Sequence, residues 1–458
     1  MTYFMGLTLT QMGFWLTWAL IPLIFEIIPA LYSALRLIVK TLAQRWQRQP
    51  LPEPEKLPMI SVIIPVHNSA TTLFACLQSI AESTYPRELI QVILANNQST
   101  DNSFSIYAQA QQKFDLRLQL IETEQGKAKA LNAAIYQCIG NYIINIDSDG
   151  TLEPHALMNM IQRFENDLDL AAQTGTVLPN RQLIKNSDRL WRRIFQKTEY
   201  FEYAQAFLSG RTIESRHNQL FTMSGAFSAF RKETLMQTFL YNTETVGEDT
   251  DMTFQIRDVL QKKVQLCADA IFYVEPSADW SSLYLQRQRW QRGESEVTEA
   301  YGEQKSAVHH FFKNFLIRRM MVDHTTLFPR MIWLFAGIVL LYFGYSLKIL
   351  LLSFLLIYCL YVLISLFNFI SVALLLRDFP EERRFYWSTW WTIFLLPLYN
   401  FVLAWIRYVG IINGMAIPAR WNTKKFGDEG RAIGQVIHDD FKRLLMKEQQ
   451  EDDDTTHL

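Results

Sequence analysis

Two aspartates one residue apart, Asp147 and Asp149, close the apolar run "YIINIDSDG" at residues 142–150. Carboxylates in a D-x-D arrangement are hard oxygen ligands suited to Mg2+ or Mn2+ bridging phosphates. The same residues can make a strand-end Asx turn, and Gly150 suits that turn. Upstream, "EQGKAKALN" (124–132) puts Gly126 and Lys127 at the mouth of an expected helix, whose N-terminus attracts anions. Lys127 could reach a phosphate there; an exposed basic first turn would read the same way. Downstream, "VGEDTDMTF" (246–254) places Glu248, Asp249 and Asp251 before a helical pattern. Asp249 or Asp251 could cap that helix, or a carboxylate that meets a crevice could serve as general base toward a hydroxyl. In "LQRQRWQRGE" (285–294), Gln286, Arg289 and Trp290 fall at i, i+3 and i+4, on one helix face. Arg and Gln can neutralise and hydrogen-bond a diphosphate leaving group, while an indole offers a sugar a flat apolar platform. A basic amphipathic helix lying on a membrane accounts for the same residues. His67 and the His309–His310 pair have no ligand-spaced partners and read as ordinary residues.

These groups need a scaffold that brings them together. "MISVIIPVHN" (59–68) is a β-branched run bounded by Pro58 and Pro65, a short buried strand. Residues 70–80 switch to helical spacing, with Leu73, Leu77 and Ile80 on one face. Strands are then expected over 89–97, 116–122 and 141–147, with helices over 99–114, capped by Ser99 or Thr100, and over 126–139. Strands alternating with helices imply an α/β domain, a mostly parallel sheet covered on both faces. Ligands of such sheets bind beyond the carboxyl ends of the strands. The four tips, 67–69, 95–101, 123–127 and 147–149, are all polar, which points to one crevice.

The chain has 458 residues with Lys+Arg 44 against Asp+Glu 45, a balance that gives no reason to expect a nucleic-acid partner. Cys76, Cys138, Cys267 and Cys359 have no paired spacing, which argues against a disulfide framework or a zinc site. Apolar residues concentrate in three stretches. Residues 13–35 contain Glu26 as the single charge and are followed by Arg36, Lys40, Arg45 and Arg48, so the segment after them is expected in the cytoplasm. Residues 331–376 are long enough for two spans broken near "GYSLK" (344–348). Residues 386–406 carry interfacial Trp and Tyr around Pro397, and the charged "RDFPEERR" (377–384) before them lies outside the hydrocarbon. Three spans after a cytoplasmic domain would put the tail outside, yet the tail holds Arg407, Arg420, Lys424, Lys425 and Arg431. Either 386–412 is kinked or re-entrant, or another helix is miscounted; we take the tail as cytoplasmic. "FFKNFLIRRMM" (311–321) reads as a further surface helix, and the acidic end "EQQEDDDTTHL" as a solvated tail.

Taken in order, "SVIIPVHN", "NNQSTD", "GKAKALN", "DSD", "MSGAFSAFR", "GED" and "QRQRW" resemble the family 2 glycosyltransferases. The likeness is to the membrane-embedded synthases of cellulose, hyaluronan, chitin and poly-N-acetylglucosamine, and runs from about Ile60 to Trp290. A closer likeness, which the motifs do not fix, is to a glycosyltransferase group associated with a Gram-positive exosortase homologue. The resemblance implies a GT-A-type, Rossmann-like domain with transmembrane and interfacial helices. It assigns nucleotide binding to Asn68, Asn96, Asn97, Asp101, Lys127 and Asp147, and Mg2+ or Mn2+ to Asp147 and Asp149. Asp249 becomes the catalytic base. Met223, Ser224, Gly225, Glu248, Gln286, Arg289 and Trp290 fall at the diphosphate and acceptor. Asn96 and Asn97 stand where the family has uracil-reading aspartates; Asn keeps an acceptor and adds a donor.

The implied activity is inverting transfer from a nucleotide sugar, a UDP-sugar in the first instance, to a growing polysaccharide. Single transfer to a lipid-linked or other membrane acceptor is the alternative. The implied partners are the donor, the glycan or lipid-linked acceptor and the bilayer, with an accessory membrane subunit left open. The expected setting is a bacterial plasma membrane, multi-pass, with the catalytic domain cytoplasmic. The expected segments are an anchor with basic flank (1–48), a Pro-rich linker (49–58), the catalytic domain (59–300), interfacial and transmembrane helices (301–427) and a polar tail (428–458).

Overall fold

The computed structural model describes residues 23–45, 51–302 (apart from 53 and 217), 339, 341, 342, 344 and 346–416. The expected surface helix at 311–321, most of the apolar stretch 331–343 and the tail beyond 416 lie outside the described residues.

Helix α1 (Ile28–Arg45) precedes the linker. The expected strands follow as β1 (Ile60–Val66), β2 (Ile90–Asn96), β3 (Arg117–Glu122) and β4 (Tyr142–Ile146), separated by α2 (Leu73–Ala81), α3 (Ser103–Lys113) and α4 (Lys127–Ile135). After β4 come β5 (Thr151–Leu152), α5 (Ala156–Asn166), β6 (Leu170–Pro179), α6 (Leu190–Tyr203), β7 (Phe227–Arg231), α7 (Glu248–Phe254), β8 (Lys263–Val274) and α8 (Trp280–Gly302). One sheet holds all eight strands in the order β3-β2-β1-β4-β7-β6-β8-β5. Pairings β3-β2, β2-β1, β1-β4 and β6-β8 are parallel. Those of β7 with β4 and β6, and of β5 with β8, are antiparallel, so the sheet is mixed.

Period-two alternation explains why these strands are apolar on both faces. Ile60, Val62, Ile64, Val92, Leu94, Ile144 and Ile146 turn toward α2 and α5, while Ile63, Ile93, Ala95 and Ile143 turn toward α4 and α7. Helix α3 starts at Ser103, later than expected. Asp101 Oδ1 accepts from Ser103 N at 3.0 Å and so caps it, whereas Ser99 N and Thr100 N are donated to Asn96 and Asn68.

Beyond this sheet lie α9 (Leu347–Leu375), α10 (Pro380–Ser388) and α11 (Thr392–Ala416). The expected break is present: Gly344 takes a left-handed φ of 79° just before α9 begins. Two described stretches, Leu347–Asp378 and Thr392–Ile411, are long and apolar enough to cross a membrane. Glu26, the lone charge of the first apolar stretch, accepts from Tyr361 Oη of α9 at 2.9 Å. A third core cluster joins α9, α10 and α11 to Leu178, Tyr200, Phe201, Leu283 and Tyr284 of the α/β domain. Its anchor is Glu382 of the charged connector. That carboxylate is 2% exposed and accepts from Arg181 Nε, Tyr200 Oη and Tyr273 Oη at 2.5, 2.7 and 3.1 Å.

Candidate active site

The reversal into β7 builds the centre of the crevice. Because Ile146 pairs with Phe227 antiparallel, the segment before β7 is delivered to the tip of β4, beside the two aspartates. Gly225 is the hub. Its N–H donates to Asp249 Oδ2 at 3.0 Å, and its carbonyl accepts from Lys127 Nζ at 3.3 Å and from Asn145 Nδ2 at 2.9 Å. Lys127 Nζ also lies 2.6 Å from Asp147 Oδ1. A Cβ on Gly225 would stand 3.2 Å from Asp249 Oδ2, which explains a residue without one. Four sequence-distant segments, the tip of β4 and the starts of α4, β7 and α7, thus meet through one peptide.

Charge at this hub is concentrated. Burial disfavours the Lys127 ammonium, but Asp147, Glu248 and Asp249 together outweigh it and raise its pKa above that of an ordinary lysine. Glu248 is pushed up by burial, with Lys127 opposing and Asp249 adding to the rise. Asp149 is exposed at the crevice mouth, yet the surrounding protein, and next the Asp147 carboxylate, push it up to about 6. Asp251, the third carboxylate of its cluster, is structural. It accepts from Gln255 Nε2 at 2.6 Å and from Tyr301 Oη at 3.0 Å. Asp249 does not cap α7 from the N-cap position, which Gly247 occupies; Asp249 Oδ1 accepts from the neighbouring Thr250 N.

The D-x-D stretch does turn, as its composition allows. Ser148 points inward and shares a 2.7 Å hydrogen bond with Ser69, tying this turn to the tip of β1. Gly150 is there for space, since a Cβ would come within 2.4 Å of the Phe272 ring. Among the described residues no group of three or more ligating side chains is gathered as a metal cage. Two carboxylates at a crevice still suit Mg2+ or Mn2+, which keep several waters and take one or two carboxylates plus substrate phosphates.

The remaining expected residues divide. Asn68, Asn96, Asn97 and Asp101 gather at the tips of β1 and β2, where their side chains organise the loops. Asn68, at a left-handed φ of 51°, accepts from Thr100 N; Asn97 Oδ1 accepts from Gly126 N at 2.6 Å; Asn96 Nδ2 donates to Glu122. Asp101 Oδ2 accepts from Ala70 N. Slight burial there is outweighed by hydrogen bonds from Ser103 and Ala70, which hold its carboxyl below the usual range. Met223 and Ser224 do not open onto the crevice. Met223 is 1% exposed in the core under α4, and Ser224 N donates to Thr174 Oγ1, because the chain is threading into β7 there.

Helix α8 reaches the site by backbone contact. Gly293 and Gly247 are so close that a Cβ on either would come within 2.7 Å of the other's backbone, and Glu296 accepts from Thr245 Oγ1 and Val246 N. The segment Thr245–Gly247, which leads into α7 and its Glu248 and Asp249, therefore rests on α8 one turn past Trp290. Gln286 Oε1 accepts from Tyr203 Oη at 3.2 Å, Trp290 packs against Tyr203 and Phe207, and Arg289 is exposed. Sequence reasoning missed Arg287. It is buried, pairs with Glu202 at 2.6 and 3.2 Å, and stacks 4.3 Å from the Trp290 ring. It also missed Asn145, although a polar residue inside a wholly buried strand was a legible signal.

Residues 61–239 match the family model for glycosyl transferase family 2. The chain carries a family 2 glycosyltransferase domain. The poly-beta-1,6-N-acetyl-D-glucosamine synthase of Staphylococcus epidermidis is 26% identical over 245 residues, 54% of this chain and 57% of that protein. The protein of the same name from Staphylococcus aureus strain COL is 24% identical over 293 residues, 63% of this chain and 65% of that protein. The chain thus spans less than two thirds of the length of either relative. A mannosyltransferase from Pyrobaculum calidifontis, solved with GDP-Man and Mn2+, superposes with a TM-score of 0.54 at 19% identity, over 76% of this chain and 99% of that one. That likeness establishes the GT-A fold of the glycosyltransferase domain.

Proposed function

We propose that this glycosyltransferase is an inverting, membrane-bound enzyme that moves a sugar from a UDP-sugar to a growing polysaccharide at the cytoplasmic membrane face. The observation that carries the reading is the Gly225 hub, whose peptide binds Lys127 and the candidate base Asp249 directly and reaches Asp147 of the D-x-D pair through Lys127. Asp249 takes the proton from the acceptor hydroxyl, whose oxygen attacks the anomeric carbon as the bond to the diphosphate breaks. Lys127 meets the charge that accumulates on the leaving diphosphate, and a half-buried ammonium already held in place does so with little reorganisation of solvent. Asp147 and Asp149 would hold Mg2+ or Mn2+, which when bound supplies further neutralisation of that charge. Asn68, Asn96, Asn97 and Asp101 shape the nucleotide end, with Gln286, Arg289 and Trp290 at the acceptor end.

The names of the two staphylococcal relatives support a polymer product, and the apolar helices support a membrane location. The test is a panel of nucleotide sugars with and without Mn2+, read by nucleoside diphosphate release and by sizing of labelled product. A ladder or polymer is expected; one added sugar would replace the polymerase reading with single transfer. Release indifferent to chelator would remove the metal from the scheme.

A further inference from the structure

Helix α11 passes the length and composition test for a membrane span, but its neighbours do not permit one. It runs beside α8, in the same direction. Tyr399 packs 5.7 Å from Trp280, and Gly410 lies so near α8 that an added Cβ would sit 3.3 Å from Gln291 Cβ and 3.7 Å from Gln288 Cα. Eleven residues separate the two contact points on each helix, about 16 Å of matched rise. Toward its other end, Lys197 Nζ of α6 sits 5.9 Å from the ring of Trp391, just before α11 begins.

From Trp391 to Gly410 is about 28 Å at helical rise, close to the roughly 30 Å of a hydrocarbon core. A spanning α11 would therefore carry Lys197 to one membrane face and α8 to the other. The stretch of α8 beside it contains Arg287, Arg289 and Arg292, which hydrocarbon does not accommodate. By contrast α9 meets the catalytic domain near its C-terminal end, through Phe369, Val372, Ala373 and Leu376, and exposes Leu347, Leu351, Leu352, Leu355 and Leu356 toward its N-terminal end. Helix α11 buries Ile393, Leu396, Tyr399, Leu403 and Ile406 on one side and exposes Phe394, Leu398, Phe401 and Val402 on another, with Trp387 and Trp390 exposed just before it.

We propose that α11 lies in the plane of the membrane interface, one apolar side on the catalytic domain and the other on lipid at the headgroup–acyl boundary, and does not cross the bilayer. Interfacial helices use such apolar faces with flanking Trp. The chain then leaves α11 on the side where α10 entered it, fixed there by Glu382, so the tail with Arg420, Lys424, Lys425 and Arg431 shares the side of the catalytic domain. This inference rests on the membrane-bound reading, and the experiment separates the two.

In the full chain with Cys359→Ser, the other three thiols are buried. Single cysteines at Ser388 and Thr455 are labelled with a membrane-impermeant maleimide in inverted and right-side-out vesicles. Phe401→Cys carries bimane, quenched by phospholipids brominated shallow or deep in the chain. The expected result is that Cys at 388 and at 455 label several-fold faster in the same vesicle orientation, and that shallow bromines quench position 401 more than deep ones. Opposite labelling orientations would overturn the proposal. So would stronger deep quenching, or no quenching by either lipid, which would mean a protein partner or second copy covers this face. Leu352→Cys on α9 is the control: if it too escapes quenching and the protein leaves the vesicles at alkaline pH, the membrane-bound reading itself fails.

Discussion

Replacing Arg287 with Met tests whether α8 is held by its buried ion pair. The Arg287 and Glu202 side chains are 4% and 10% exposed, and both guanidinium NH2 groups engage the carboxylate. Removing one partner of a buried pair strands the other charge, at a cost of about 3–5 kcal/mol. Arg287 also stacks on Trp290 at 4.3 Å and on Tyr203 at 5.2 Å, so the variant should unseat the Trp290 ring as well. Thermal unfolding in detergent should show a melting temperature lower by on the order of 10 °C. The double variant Arg287→Met with Glu202→Leu removes the stranded charge and should recover most of that stability. It should not recover transfer, because Trp290 still lacks its cation. Activity is read as nucleoside diphosphate release, and the Trp290 environment as the emission change on Trp290→Phe in each background. An Arg287→Met protein as stable as the parent, or a double variant no more stable than the single one, would refute the reasoning.

Asp249→Asn keeps one acceptor oxygen, which can serve Gly225 N or Thr250 N but not both, so it should fold with a modest loss of stability while transfer falls by about 10²–10⁴-fold; parental turnover would remove Asp249 as base. Lys127→Met should weaken binding of a nucleoside diphosphate more than that of the nucleoside, measured by calorimetry, and equal losses would place Lys127 elsewhere. Gly247→Ala must push α7 from α8, because the new Cβ meets Gly293 backbone at 2.7 Å; transfer should drop more than tenfold although no reacting group changes, and unaltered kinetics would count against the contact. Burial of Glu199, relieved in part by Ser277 and Arg287, pushes its pKa from 4.5 up to about 7. Its folded-state pKa therefore exceeds the unfolded one, so stability falls as pH rises from about 4.5 through 7, by up to about 3 kcal/mol. Glu199→Gln should flatten that slope in pH-dependent melting, and an unchanged slope would exclude Glu199 as its source.

The sequence alone determined the α/β alternation from Ile60 to Ile146, because fully buried strands read as unbroken β-branched runs and their helices as amphipathic ones. It also marked Lys127, Asp147, Asp149 and Asp249, since charged residues at strand tips and helix starts stand out against an apolar core. The start of α3 was misplaced because four hydrogen-bonding residues in succession can each cap, and the loop's other bonds decide among them. Only the tertiary structure decided that Gly225 joins these groups, that Met223 and Ser224 are buried, and that Arg287 seats Trp290. The first two depend on β7 running back beside β4, a pairing between segments some eighty residues apart, and the third on α6 meeting α8 through Glu202 and Tyr203; no local pattern encodes either. The same holds for α11. Its composition is that of a span, and what surrounds an apolar helix, lipid on all sides or a charged helix on one, is set by packing.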